Sequence, residues 1–242
     1  DDRGRIAHMD PVAQRKIDAK EPRWFATWRT IRFYLKITPF GHVGLFPEQI
    51  SNWDEVQQYA LEHKSPRALN LFAYTGGTTL ALAAAGAQCV HVDASEPAVS
   101  WARLNCGASG GTDWPIRWIR DDARIFVQRE IRRQRDYHII ALDPPSFGHG
   151  PRGTRWQIEA DLPNLLEGVA RLIAPEGGLV VLSGHSSNPS AAEQAAWLEK
   201  ALHEAGRKAV SPIRPERLAV DAEFGNRRLD AGYTINVRVS KV

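Results

Sequence analysis

ALNLFAYTGGTTLALAAAGAQCVHVD, residues 68–93, contains a strand, a tight turn, a helix and a second strand. Residues 68–72 and 89–92 are short apolar runs without polar alternation, which is typical of strands buried on both faces. Residues 78–85 between them form a helical segment that begins after two adjacent glycines. Buried strands alternating with helices predict an α/β protein with a mostly parallel sheet covered by helices on both faces.

The same alternation continues downstream. Three further apolar runs predict strands, at residues 116–119, 139–142 and 179–182. Four helical segments accompany them, at residues 96–108, 123–134, 158–173 and 191–205. The last run, residues 233–239, alternates, with Ile235, Val237 and Val239 on one face, and this pattern predicts an antiparallel strand near the edge of the sheet.

The N-terminal region has a different character. Residues 1–30 are rich in charge and predict an extended arm. Residues 33–37 predict a strand, Pro39-Phe40-Gly41-His42 a turn, and residues 43–46 the returning strand of a hairpin. A helix follows from about residue 51 to residue 64. We therefore expect an arm and β-hairpin extension over residues 1–50 and one domain over residues 51–242.

Composition restricts the class of protein. The chain has 242 residues, a net charge of +3 and two cysteines, which excludes a disulfide framework and a structural metal quartet. The eight histidines show no metal-ligand spacing, so we expect no metal. No apolar run approaches the roughly 20 residues of a membrane span and no signal-peptide pattern opens the chain. We expect a cytoplasmic protein; the positive charge permits a nucleic-acid partner without requiring one.

Polar residues at the ends of the first three strands are candidates for holding a nucleoside. Gly76 and Gly77 permit close approach of a ligand, and the dinucleotide fingerprint G-x-G-x-x-G is absent, which suits a ligand without phosphate. Asp93 ends the second strand and can accept hydrogen bonds from ribose hydroxyls, or else cap the next helix. Asp122 can accept a bond from an adenine amino group, cap its helix, or do both.

The run Asp143-Pro144-Pro145-Ser146-Phe147 follows the fourth strand and is the most specific motif of the chain. Two prolines directly after a buried strand remove ladder hydrogen bonds and fix the backbone. Carbonyl groups beside the prolines can then face a substrate donor, and Phe147 can stack on a flat ring. A rigid structural turn is the alternative interpretation.

These motifs together resemble a known family. Residues 31–242 resemble the class I S-adenosylmethionine-dependent methyltransferases that modify bacterial large-subunit ribosomal RNA, within the group of 5-methylcytosine and 7-methylguanine enzymes. The matching segments are Gly44-Leu45-Phe46-Pro47-Glu48-Gln49, Phe72-Ala73-Tyr74-Thr75-Gly76-Gly77, Val92-Asp93, Asp121-Asp122 and the Asp-Pro-Pro-Ser-Phe run. The resemblance implies a Rossmann-like fold with a seven-stranded sheet, S-adenosylmethionine as cofactor and ribosomal RNA as partner.

The resemblance also implies roles for single residues. Tyr74, Thr75 and Gly76 would line the methionine part of the cofactor, Asp93 would hold the ribose, and Asp122 the adenine. Asp143 would begin the catalytic loop, and Gln49 would reach the cofactor from the N-terminal segment. The remaining cofactor-binding candidates are their neighbours Phe72, Gly77, Ala94 and Ala123.

The chain departs from the 5-methylcytosine members of the family, which use a cysteine nucleophile. Its fifth strand is followed by Ser183-Gly184-His185, and both cysteines lie in the cofactor half, so we expect no covalent attack on a pyrimidine carbon. A base nitrogen is the acceptor that fits the Asp-Pro-Pro loop. His185 is a candidate acid, base or substrate contact, or a solvated loop histidine.

Three alternatives stay open at this point. One is a methyltransferase that acts on a protein or a small molecule. The second is a nucleotide-dependent oxidoreductase, against which the missing glycine fingerprint argues. The third is a non-catalytic RNA-binding module that keeps the fold. The sequence leaves the oligomeric state undetermined.

Overall fold

The computed structural model describes residues 24–38, 41–221 and 228–240. An antiparallel hairpin of β1 (Trp24–Trp28) and β2 (Ile31–Leu35) opens this part of the chain. The main sheet consists of β3 (Arg67–Leu71), β4 (Gln88–Asp93), β5 (Ile116–Arg120), β6 (Ile139–Leu142), β9 (Gly178–Gly184), β10 (Glu216–Asp221) and β11 (Arg228–Val239). A small hairpin pairs β7 (Phe147–His149) with β8 (Arg155–Gln157).

Helices connect the strands of the main sheet. The described part of the chain has six α-helices: α1 (Ile50–Leu61), α2 (Gly77–Ala84), α3 (Glu96–Ala108), α4 (Ala123–Arg132), α5 (Ile158–Arg171) and α6 (Ala191–Glu204). Each helix predicted from the sequence is present, with ends that differ by up to three residues. No helix in these ranges has the length and apolar character needed to cross a membrane.

The order of the strands decides where a ligand can bind. The sheet runs β10-β11-β9-β6-β3-β4-β5, with β3, β4, β5, β6 and β9 parallel and β10 and β11 antiparallel to their neighbours. After β3 the chain proceeds outward through β4 and β5, and it then returns to add β6 on the other side of β3. Such a reversal opens a crevice at the carboxyl ends of the strands. The predicted mostly parallel, seven-stranded Rossmann-like sheet is confirmed.

Apolar side chains fill both sides of the sheet. One cluster joins Phe126 of α4, Leu162 of α5 and Leu198 of α6 to the sheet, and all three are fully buried. The other joins Val56 of α1, Leu80 of α2 and Cys106 of α3 to the opposite face. Each fully buried side chain of this size contributes about 1.5–3 kcal/mol. Three helices therefore cover each face, as the alternation of elements predicted.

The N-terminal hairpin exists, but its predicted pairing is wrong. The partner of β2 is β1, which precedes it, and residues 43–46 form no strand. The Val43 oxygen accepts the backbone N–H of Lys36 at 3.1 Å, and the oxygen of the preceding His42 accepts that of Thr38 at 2.9 Å. Gly44, at φ +94°, turns the chain out of an extended path. The predicted arm up to residue 23, and residues 39 and 40 of the predicted turn, lie outside the described residues.

The hairpin belongs to the same core as α1. Ile31 and Phe33 are fully buried, and the Phe33 ring stacks on Trp53 with centroids 5.3 Å apart. Gly44 packs directly against Trp101 of α3, where a Cβ atom would lie 2.0 Å from the indole. The hairpin thereby fixes the position of the segment that follows it, residues 44–49. A domain boundary at residue 50 stays a prediction.

Candidate functional site

A cavity of about 600 Å³ opens at the carboxyl ends of β3, β4, β5 and β6, where the strand order reverses. Its volume is within the range of about 300–1,000 Å³ that is common for small-molecule sites. Ten of the residues predicted from the sequence line it: Phe72, Tyr74, Asp93, Ala94, Asp122, Ala123, Asp143, Pro144, Pro145 and His185.

The other predicted residues lie elsewhere. Gln49, Thr75 and Gly77 line a second pocket of about 50 Å³, which shares Phe72, Tyr74 and Asp143 with the large cavity. Gly76, Ser146 and Phe147 line neither of these two spaces. The sequence therefore identified one contiguous region, but it did not separate residues that face the ligand space from those that support it.

The carboxylate of Asp93 keeps hydrogen-bonding capacity toward the cavity. One oxygen accepts the backbone N–H of Tyr74 at 2.8 Å, and the other accepts that of Ser95 at 2.8 Å. Two oxygens offer about four acceptor positions, so about two remain for hydroxyl groups. Burial raises the pKa of Asp93, and the two backbone donors oppose this rise. Ser95, and not Asp93, caps α3 through Ala98 N.

The carboxylate oxygens of Asp122 accept more hydrogen bonds from the protein than the sequence suggested. One carboxylate oxygen accepts the backbone N–H and the Nε of Arg124 at 2.9 and 3.0 Å. The other accepts Arg124 Nη2 at 2.6 Å and the Thr154 hydroxyl at 3.0 Å. Burial raises its pKa, but the bonds from Arg124 and Thr154 outweigh burial and hold the pKa below its usual value. Asp122 caps α4, as one of its two interpretations predicted.

The glycine turn after β3 has a backbone conformation that restricts which side chains its residues can carry. Phe72 and Tyr74 adopt positive φ angles of 53° and 46°, which side chains rarely tolerate. Gly76, at φ +92°, caps α2, and a Cβ atom on Gly77 would lie 2.5 Å from Trp53. The buried Thr75 hydroxyl donates to the Gly44 carbonyl at 2.8 Å. The glycines thus shape the turn, whereas Phe72 and Tyr74 present their side chains to the cavity.

Gln49 links the N-terminal segment to the catalytic loop. Its Nε2 donates to Asp143 Oδ2 at 3.2 Å and to the Ser183 hydroxyl oxygen at 3.0 Å, and its Oε1 accepts from Asn52 at 2.7 Å. Burial raises the pKa of Asp143, while nearby His185 and a hydrogen bond from Ser183 lower it. Gln49 is buried and does not line the large cavity, which it supports through its hydrogen bond to Asp143.

The loop that begins at Asp143 is held by the β7–β8 hairpin. The Pro145 carbonyl accepts Trp156 Nε1 at 2.6 Å, and the Ser146 carbonyl accepts the N–H of Ile158 at 3.1 Å. Pro144 is buried, and no donor in the described ranges reaches its carbonyl oxygen. The expectation of free loop carbonyls therefore does not hold for Pro145, whose oxygen is already bonded.

Phe147 does not stack inside the cavity. Its side chain lies on β7 at the surface, and the residue is 72% exposed. The flat apolar wall of the cavity comes instead from Trp156 and Phe72, whose ring centroids are 4.8 Å apart. The extended conformation of β7 turns Phe147 outward, because Gly148 occupies the position that faces Trp156.

Among the cavity-lining residues that the sequence reasoning missed are His42, Phe46 and Glu48. They precede or adjoin Gln49, and the only signal was their position in the segment that carries it. His185 is half-exposed, and its Nε2 lies 3.8 Å from Glu48 Oε1. The Phe46 ring centroid lies 6.4 Å from that of His185 and 5.4 Å from that of Tyr74.

The chain is similar to several known methyltransferases. The ribosomal RNA large subunit methyltransferase K/L of Shewanella baltica is 30% identical over 167 residues, which are 68% of this chain and 23% of that protein. Its counterpart in Methylococcus capsulatus is 32% identical over 154 residues, 63% of this chain and 20% of that protein. This chain therefore spans about a quarter of the length of these relatives or less.

The crystal structure of a SAM-dependent methyltransferase from Agrobacterium tumefaciens superposes with a TM-score of 0.85 at 34% identity, covering 91% of this chain and 71% of that one. A family model for S-adenosylmethionine-dependent methyltransferases matches residues 17–236. Since this match includes every strand around the cavity, the chain belongs to the S-adenosylmethionine-dependent methyltransferase family.

Proposed function

We propose that the protein methylates a nitrogen of a base in RNA, with ribosomal RNA as the preferred acceptor and the cytoplasm as its place of action. The observation that carries this proposal is the loop at Asp143 and Pro144, which opens into the same cavity as Asp93. Membership of the methyltransferase family excludes the oxidoreductase alternative.

The cavity suits the nucleoside part of the cofactor. About two free acceptor positions on Asp93 match the two hydroxyls of a ribose. The adenine would lie toward Ala94, Asp122 and Ala123, where Asp122 can accept its amino group by sharing or replacing the bond from Thr154. The methionine part would extend past Tyr74 toward Thr75 and Gln49. When bound, S-adenosylmethionine supplies an electrophilic methyl group.

The protein's part in the reaction is alignment of the acceptor and exclusion of water. The Pro144 carbonyl can accept a hydrogen bond from an amino group and so orient the nitrogen lone pair. A nitrogen lone pair needs little activation, whereas a ring carbon needs covalent attack. The two cysteines are buried on the face that packs α2 and α3, away from the cavity. Burial raises the pKa of both thiols, which disfavours the nucleophilic thiolate.

An RNA acceptor is supported by the rim of the cavity. Exposed Phe147 and Arg155 lie on the β7–β8 hairpin, whose Gly148 and Trp156 line the cavity. An aromatic ring and a cation at this position suit a base and a phosphate of an unpaired strand. The relatives from Shewanella baltica and Methylococcus capsulatus are named as ribosomal RNA methyltransferases, which supports ribosomal RNA as well.

Methyl transfer from radiolabelled S-adenosylmethionine tests the acceptor class. Unmodified large-subunit ribosomal RNA and ribosomal protein are offered in separate reactions, with heat-denatured enzyme as the control. Label in the RNA is expected. Label only in the protein would contradict the RNA proposal and leave the family assignment intact.

A further inference from the structure

Glu48 carries a carboxylate that makes no hydrogen bond to another described residue. Its side chain is 9% exposed and lines the large cavity. Its single partner within the described residues is His185, at 3.8 Å, which is too long for a hydrogen bond. A carboxylate offers about four acceptor positions, so Glu48 can accept hydrogen bonds from a ligand that occupies the cavity.

Glu48 and its neighbour Gln49 face different spaces. Gln49 lines the small pocket and bonds to Asp143, Ser183 and Asn52. Of these two spaces Glu48 lines only the large cavity, where it lies near His185. Since the methionine part of the cofactor is placed toward Gln49, Glu48 is left for the second ligand.

Aromatic rings line the same cavity as Glu48. The Phe46 ring centroid lies 5.6 Å from that of His42, 5.4 Å from that of Tyr74 and 6.4 Å from that of His185. Such rings can contact the face of a flat heterocycle, while a carboxylate accepts hydrogen bonds from its edge. Together they provide both kinds of contact that a base outside its stack requires.

We propose that Glu48 recognises the methyl acceptor, an inference that rests on the proposed function. The Glu48 carboxylate accepts hydrogen bonds from the N–H groups on the edge of the target base. Phe46 and His185 form the aromatic wall beside it. Glu48 thereby fixes the in-plane orientation of the base, and the Pro144 carbonyl contacts the base from the catalytic loop.

Three variants test this assignment: Glu48→Gln, which removes the charge at constant size; Glu48→Asp, which keeps a carboxylate; and Glu204→Gln, an exposed control at the end of α6. For each, kcat/KM is measured with an unmodified transcript of large-subunit ribosomal RNA, the Kd of S-adenosylmethionine by calorimetry, and the Tm. Loss of a charged hydrogen bond predicts a fall in kcat/KM of about tenfold or more for Glu48→Gln. We expect a smaller fall for Glu48→Asp, none for the control, and unchanged cofactor affinity.

Two results would overturn the assignment. A weakened cofactor Kd in Glu48→Gln would place Glu48 on the methionine ammonium group, and an unchanged kcat/KM would remove it from the acceptor site. If the Tm shows that Glu48→Gln is unfolded, the same comparison is made with Glu48→Asp, for which an unchanged kcat/KM is again contradictory. Failure of the wild-type protein to label RNA refutes the proposed function instead, so the two failures are distinguishable.

Discussion

Asp93 connects the glycine turn to the proposed cofactor site. Its carboxylate holds the strained turn through Tyr74 N and still keeps about two acceptor positions for the ribose. We predict that Asp93→Ala weakens S-adenosylmethionine binding by at least about tenfold, since charge-assisted hydrogen bonds contribute about 1.5–3 kcal/mol. Calorimetry measures the change, with exposed Glu96→Ala as the control. Unchanged affinity would show that the ribose lies elsewhere.

His185 lies between two carboxylates of the site, Glu48 at 3.8 Å and Asp143, whose pKa it lowers. If His185 handles a proton of the acceptor, His185→Ala lowers the rate of methyl transfer by about 10²-fold or more. We expect this loss in single-turnover rates at saturating cofactor. A loss below about threefold would leave His185 as a solvated loop residue, outside the typical range for acid–base catalysis.

Helix α2 depends on Gly76, because Gly76 caps its N-terminus. Its φ of +92° excludes most side chains, and a Cβ atom would lie 3.1 Å from Ala102 Cβ. We predict that Gly76→Ala lowers the free energy of unfolding by about 1–2 kcal/mol or more. Gly86→Ala is the matched control, because Gly86 has φ +85° and nothing within 4 Å. Equal losses in denaturant unfolding would show that the contact with Ala102 adds nothing.

The β7–β8 hairpin carries the predicted contact with the strand that contains the target base. Stacking of one base on an aromatic ring contributes about 1–3 kcal/mol, so we predict that Phe147→Ala raises the Kd for the RNA transcript about fivefold or more. Cofactor affinity is expected to stay unchanged, because Phe147 lies outside the cavity. Phe25→Ala, at a residue 60% exposed on β1, is the control for filter-binding measurements. An equal, small effect of both variants would argue against stacking on Phe147.

The elements predicted from the sequence were those with long or fully apolar patterns. β6 and β9 are buried at every position and β3 and β4 at most positions, so apolar residues predominate, with Asn70 and His91 as buried polar exceptions. The exposed edge strand β10 reads ERLAVD, and β7 and β8 have three residues each, too few for a periodic pattern. The pairing of β2 with β1 depends on a turn in which Arg29 has a positive φ angle and on packing of Trp28 against Trp53. The local sequence reveals neither feature.

The hydrogen bonds and ion pairs around Asp122 join separate elements and therefore stabilise the molecule as a whole. Arg124 of α4 binds both Asp122 and Asp161 of α5, and Thr154 ties the β7–β8 hairpin to the same carboxylate. The folded-state pKa of Asp122 is below its ordinary value of 3.8. Its contribution to stability is therefore present above pH 3.8 and is lost as the pH falls through the lowered pKa.

The variant Asp122→Asn tests this pH dependence. We predict that it is less stable than the wild type by roughly 1–3 kcal/mol near neutral pH, and that the difference shrinks below about pH 4. Urea unfolding at several pH values measures both effects, with exposed Asp113→Asn as the control. A difference that stays constant down to pH 3 would contradict the assigned direction of the shift.

Much of the site was predictable because functional side chains follow strands whose carboxyl ends meet at one edge. Asp93, Asp122 and Asp143 were found in this way, and they line one cavity. The saturation of Asp122, the outward direction of Phe147 and the position of Glu48 depend on tertiary contacts between segments far apart in sequence. No local pattern reports such contacts, so only the structure showed them.

The central claim is methylation of a nitrogen on an RNA base. The most direct measurement is identification of the labelled nucleoside, by digestion and mass spectrometry of unmodified ribosomal RNA after reaction with the wild-type protein and isotope-labelled S-adenosylmethionine. We predict a single nucleoside that carries the labelled methyl group on a base nitrogen. Label on a ring carbon or on a ribose oxygen would contradict the claim.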